Sequence, residues 1–322
     1  MTQEILGIHH VTAITGDAQK NVDFYAGVLG QRLVKVTINF DDPSSYHLYY
    51  GDDLGRPGTA MTFFAWPGAP QLSRERRRGT RLVTATTYAA PIGALSFWRE
   101  RLQDGGVTTE IVERFGKPVL SFEDPDGLAI EIAEQEGVES RPFWDGAGIE
   151  SEYALRGFHS VTMTHSDAAL TQDFLGGVMQ WKVIETQGER TRFQIGDGNQ
   201  PGAWVDVLHS SAMRGGMGPG FVHHVAWRVA DDEAQKEWHE KIAKLGANIS
   251  PVMERFYFRS IYFREPGGVL FEIATDKPGF ATDETSEKLG TQLQLPPWLE
   301  ASREQISKAL PRLQLPEGGT LP

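Results

Sequence analysis

Cysteine is absent from the 322 residues, so disulfides, thiolate metal sites and cysteine nucleophiles are excluded together. Any metal must then be held by imidazole and carboxylate. No apolar run approaches the roughly 20 residues that a membrane-crossing helix requires. Basic side chains are outnumbered, 31 against 43 acidic ones, for a net charge of −12. Such a surface repels phosphate backbones, so neither nucleic acid nor membrane is expected as a partner. The opening Met1-Thr2-Gln3-Glu4 lacks the basic region and apolar core of a secretory signal, which makes the cytoplasm the expected compartment. What is present is ordinary for a soluble globular protein: hydrophobic residues are 40 % and charged residues 23 %.

The chain repeats itself. Residues 114–132, RFGKPVLSFEDPDGLAIEI, align without a gap on residues 255–273, RFYFRSIYFREPGGVLFEI, with seven of nineteen positions identical. The same offset places Gly105 on Gly246, Val83 on His224 and Leu82 on His223. A second, looser pair sets Ile8-His9-His10-Val11-Thr12 beside Phe158-His159-Ser160-Val161-Thr162, and each is followed by an acidic turn and a similar apolar pattern. Four units result, at 1–66, 80–134, 156–209 and 220–275, with a C-terminal extension over 276–322. The connections 67–79 and 134–156 lie between them, and the Arg74, Arg76, Arg77, Arg78 run reads as a solvated loop. In the extension, Trp298 and Leu299 are candidate anchors.

Within each unit a short alternating strand opens and an amphipathic helix follows, such as Ala94 to Gln103 or Glu233 to Leu245. Strands with tight turns close the unit; Asp124-Pro125-Asp126-Gly127 and Glu265-Pro266-Gly267-Gly268 are two of those turns. The pattern is βαβββ. One such unit cannot bury its apolar sheet face alone, so the expected fold is α+β, with four βαβββ modules paired into two open barrels.

A histidine early in a barrel strand can point into the cup. The fourth unit offers His224 in its first strand and Glu272 in its last, and the first unit offers His10. Two imidazoles and one carboxylate leave open coordination positions, which suits non-heme Fe(II). His159 competes with His10 for the third place, because the residues alone do not fix which units pair. Glu131 keeps the carboxylate of the second unit without a histidine partner, so it is expected to meet a cation or His159; whether the two form a vestigial second site stays open. His47, His165, His209 and His239 read as surface or loop histidines. Arg255 matches Arg114, which leaves a purely structural role open for it; Tyr262 matches Ser121 and so differs from the sister copy.

The segment from Gly7 to Asp52, GIHHVTAITGDAQKNVDFYAGVLGQRLVKVTINFDDPSSYHLYYGD, resembles the ring-cleaving hydroquinone dioxygenases of the 2,6-dichlorohydroquinone 1,2-dioxygenase type. These are a branch of the vicinal oxygen chelate superfamily, which also holds glyoxalase I and the type I extradiol dioxygenases. The resemblance implies Fe(II) held by His10, His224 and Glu272, with Mn, Zn or Ni as metals that isolated protein could carry. It further implies His9 and His223 as acid/base groups, Arg255 and Tyr262 as stabilisers of developing negative charge, and Thr12 as a substrate contact. The implied partners are a small aromatic diol and O2; a homo-oligomer is allowed but not required. A regular strand would turn His9 and His223 away from the ligand face, so a bulge or twist must bring them round.

Two other readings use the same residues. A glyoxalase-like isomerase or thiol transferase would employ a metal with four protein ligands, yet the strand from Gly58 to Trp66, GTAMTFFAW, supplies none. A non-catalytic binder of quinones or other aromatics would need the cup alone.

Overall fold

The computed structural model describes residues 3–321; Met1, Thr2 and Pro322, which belong to the opening segment and the extension, lie outside the described residues. Each unit contributes four strands. The first gives β1 (Ile8–Thr15), β2 (Arg32–Asn39), β3 (Asp42–Gly51) and β4 (Ala60–Ala65), the second β5 (Leu82–Ala90), β6 (Thr109–Arg114), β7 (Lys117–Glu123) and β8 (Ala129–Glu134). The third gives β9 (Phe158–His165), β10 (Lys182–Gln187), β11 (Arg190–Gln194) and β12 (Trp204–His209), the fourth β13 (Phe221–Val229), β14 (Met253–Glu254), β15 (Arg259–Arg264) and β16 (Leu270–Thr275).

The strands form two eight-stranded sheets, ordered β14-β15-β16-β13-β1-β4-β3-β2 and β10-β11-β12-β9-β5-β8-β7-β6. The first unit therefore pairs with the fourth, and the second with the third. Within a unit the first and last strands run parallel, β1 on β4 and β13 on β16; between units the first strands meet antiparallel, β1 on β13 and β5 on β9. The architecture is α+β, and the pairing left open by the sequence is settled by this register.

The helices are shaped by local chemistry. Over Asp232–Lys244, Asp231 caps the N-terminus by accepting from Ala234 N at 3.0 Å, and Asp232 and Glu233 favour the positive end of the dipole. Ala234, Trp238 and Ile242 recur every fourth residue and are the buried stripe; Gly246 supplies the positive φ of 76° that ends the helix. The sister helix runs Leu95–Asp104, and there the positive φ falls at Gly106 rather than Gly105.

The repeat does need gaps. Ala226 lies beside Glu272, and Thr87 beside Glu131, so Ala85 and Thr84 stand where His224 and His223 stand. The expectation of Val83 and Leu82 is wrong by two residues, because the fourth unit is two residues longer between its first and last strands. The inference drawn from it survives, since the histidine is absent either way.

The arginine run is not a free loop. Arg74–Arg77 form a short helix, Arg74 and Arg78 both pair with Glu123, and Arg77 Nε donates to Gly127 O at 3.2 Å. The C-terminal extension wraps the outer edge of β2, where Leu293 bridges Val36 and Gln294 N donates to Val36 O at 2.9 Å. It also brings Asp283 and Glu284 to the fully buried Lys35 ammonium. Leu299 packs against the core, whereas Trp298 stays half exposed, edge-on to Phe40 and Phe256.

Candidate metal centre

In the cup of the first and fourth units, β1 presents His10, β13 presents His224 and β16 presents Glu272. Their ligand atoms lie within 4.8 Å of one another, and this is the metal-capable cluster found among the described residues. His224 Nε2 is 2.9 Å and His10 Nε2 3.3 Å from Glu272 Oε2, and the two Nε2 atoms are 3.3 Å apart. All three residues are buried. His159 is elsewhere: in β9 it takes the place of His9, and Ser160 takes that of His10. Glu131 is held by Arg114 at 2.7 Å and by Thr87 at 3.1 Å, a cation and a hydroxyl rather than His159.

The histidines that precede the ligands are brought round by bulges. Ile8 and His10 oppose Trp227 and Ala226, so His9 is an extra residue on β1; Thr12 and Ala13 oppose His224 and Val222, so His223 is the extra residue on β13. His9 Nε2 donates to Thr275 O at 3.1 Å, which leaves its Nδ1 as an acceptor for His10 Nδ1 at 2.9 Å. That bond fixes the His10 tautomer with a bare Nε2 toward Glu272. His223 and His224 repeat the contact, Nδ1 to Nδ1 at 2.8 Å. Burial, reinforced by the adjacent ligand imidazole, pulls His9 and His223 down to about 3, so both are neutral.

The donor set calls for a cation. Glu272 is fully buried, with its Oε2 set against the Nε2 atoms of His10 and His224. Ser260 Oγ donates to Oε1, while Oε2 is buried without a hydrogen-bond partner. A bare carboxylate oxygen facing imidazole lone pairs is costly unless a metal lies among them. Two imidazoles and one carboxylate fit Fe(II), and β4 contributes no fourth ligand.

Above the cluster opens a cavity of about 330 Å³, within the range that takes a small ring. Phe40, Phe64, Trp66, Phe258 and Leu270 make its apolar walls; His223, Tyr262, Arg255 and Asp41 add polar groups. Tyr262 stands opposite Glu272 in the β15–β16 ladder and accepts from Arg255 Nε at 3.2 Å. Burial, with Glu272, raises the Tyr262 hydroxyl above its ordinary pKa, so it remains a donor. Larger hollows exist, one of about 440 Å³ beside Trp144 and Gly290, but they hold no such cluster among the described residues.

The expected site residues thus separate. His10, His224, Glu272, His223, Arg255 and Tyr262 gather at one place; His9 supports His10 and does not line the cavity. Thr12 is buried and shares a hydrogen bond with Thr62 at 2.8 Å, one step behind the wall. Of the other histidines, His209 is exposed and His239 is half-buried on its helix, but His47 and His165 are misread as surface groups. His165 is buried at the end of β9. His47 lines the cavity, with Nε2 on Thr62 Oγ1 and Nδ1 on Tyr49 Oη, both 2.9 Å. Strand alternation was the signal for it: in Tyr46-His47-Leu48-Tyr49-Tyr50, residues 47 and 49 share the cavity face, and 46, 48 and 50 are core. Asp41 and Phe40 sit in a turn and carried no comparable signal.

Comparison with known proteins identifies the family. The Glyoxalase/Bleomycin resistance protein/Dioxygenase superfamily matches residues 7–132 and again 157–273, and the chain belongs to it. It is 44 % identical over 310 residues to "Putative ring-cleaving dioxygenase MhqO" of Bacillus subtilis (strain 168), covering 96 % of this chain and 97 % of that one. It is 39 % identical over 317 residues to the chlorohydroquinone/hydroquinone 1,2-dioxygenase of Sphingobium indicum, covering 96 % and 97 %. A crystal structure of a B. subtilis protein described as a putative dioxygenase superposes with a TM-score of 0.91 at 43 % identity, over 97 % of this chain and 99 % of that one.

Proposed function

We propose that this superfamily member is an Fe(II)-dependent ring-cleaving dioxygenase that inserts O2 into a hydroquinone-type ring. The observation that carries the reading is the convergence of His10, His224 and Glu272 beneath an aromatic-walled cavity. The names of full-length relatives, a hydroquinone 1,2-dioxygenase among them, support the reaction class.

His10, His224 and Glu272 would hold the metal, which when bound supplies the one-electron chemistry that lets triplet O2 combine with a closed-shell ring. The protein does the rest. Phe40, Phe64, Trp66 and Phe258 enclose the ring and exclude water. His223 is neutral and faces the cavity; with its Nδ1 accepting from the His224 Nδ1–H, its Nε2–H gives a proton to a substrate oxygen as charge develops there and later regains one. Tyr262 Oη, held by Arg255, donates to the oxygen on which negative charge develops. His9 acts through His10, and Thr12 through Thr62 and the His47 wall.

Three ligands rather than four disfavour the glyoxalase-like alternative. The test is metal analysis of protein purified anaerobically, then oxygen uptake with hydroquinone and catechol in parallel. Bound iron and faster uptake with hydroquinone are expected. Tightly bound zinc, with no uptake after Fe(II) reconstitution, would point to the isomerase class instead.

A further inference from the structure

Among the described residues that line the cavity, Arg255 is the one lysine or arginine, and it is already paired. Its Nη1 lies 3.3 Å from Asp41 Oδ1 and its Nη2 3.1 Å from Asp41 Oδ2, while Nε is taken by Tyr262. The two partners come from opposite sides of the mouth. Asp41 belongs to the turn between β2 and β3 of the first unit, and Arg255 follows β14 of the fourth. The Arg255 side chain is 18 % exposed and that of Asp41 66 %, so the carboxylate closes the guanidinium off from solvent. The remaining polar lining is imidazole, phenol and amide.

We propose that the Asp41–Arg255 pair is a specificity device: it leaves the walls of the cavity above the metal position without a free side-chain cation, so neutral diols are favoured and rings bearing an ionised carboxylate are disfavoured. The proposal rests on reading this cavity as the substrate site. An anionic ring gains the guanidinium only by displacing Asp41, and then leaves that carboxylate unpaired at the mouth, where it repels the newcomer. A neutral diol asks for neither change, and Arg255 stays seated on Tyr262. Asp41 acts here through Arg255 and is a specificity-determining residue, not a catalytic one.

The experiment is anaerobic titration calorimetry of the Fe(II)-loaded full chain with methylhydroquinone and with 2,5-dihydroxybenzoate. The unaltered protein should prefer the neutral diol by about tenfold or more. Asp41→Asn should narrow that ratio by about tenfold, chiefly through tighter binding of the benzoate, and Asp41→Glu should restore it. Because Asp41 is exposed, the ratio in the unaltered protein should also shrink between about 20 mM and about 0.5 M salt, a readout that needs no variant to fold. Equal affinities in the unaltered protein, or a ratio unmoved by Asp41→Asn, overturn the proposal. If the protein consumes no O2 with either ring, the dioxygenase reading fails while the binding ratio can still be read.

Discussion

Arg114 donates to Glu131 across 2.7 Å at the heart of the second cup, on the strand position where the first cup has Glu272. An ion pair fills the place that the His10–His224–Glu272 cluster fills in the sister cup. The Glu131 side chain is only 5 % exposed, so removing its partner strands a buried charge. Arg114→Ala should therefore cost about 3–5 kcal/mol in urea unfolding. Replacing both residues with apolar ones should cost clearly less, and a double variant as unstable as the single one contradicts the account.

The difference between the cups explains what the sequence could reveal. The module pattern and the residues of the His10–His224–Glu272 cluster were legible because each sits in the first or last strand of its unit, and because two copies could be set side by side. The pairing of units was not, since it depends on which first strands meet, here β1 with β13. The bulges at His9 and His223 were foreseen only as a geometric need; nothing in the residues marks an extra position on a strand. Asp41 was invisible for another reason. Its partner Arg255 lies 214 residues away and meets it across a turn that has no periodicity to read.

Glu272→Ala should abolish tight iron binding and ring cleavage while circular dichroism keeps the strand signal. Ser260 would lose its acceptor, a loss of about 1–3 kcal/mol in stability, but the emptied position also relieves a bare buried carboxylate. Normal O2 consumption with hydroquinone by this variant would remove Glu272 from the site.

Asp124 carries a pH dependence that is independent of the metal. It is buried in the turn after β7, where Tyr25 Oη donates to it at 3.2 Å, and burial pushes its carboxyl up from 3.8 to about 7. The folded state thus binds the proton more tightly than the unfolded one, so this contribution is complete below about pH 4 and disappears as pH rises through about 7. Asp124→Asn keeps the neutral form at every pH. Its stability relative to the unaltered protein should improve between pH 5 and pH 8, by up to about 1.4 kcal/mol per pH unit within that window. Denaturant titrations of both proteins at the two pH values decide it; parallel curves would mean that Asp124 is ionised throughout.

The outer pairing of the first unit with the fourth, around an inner pairing of the second with the third, also sets an order of assembly. During synthesis the inner cup has all its strands once β12 has emerged, and domains generally fold as chain becomes available. The opening unit must wait, its apolar face without a mate, until β13 to β16 leave the ribosome. The half that holds the His10–His224–Glu272 cluster is thus the last to close, and a truncated translation product would carry His10 of β1 with nothing to complete it.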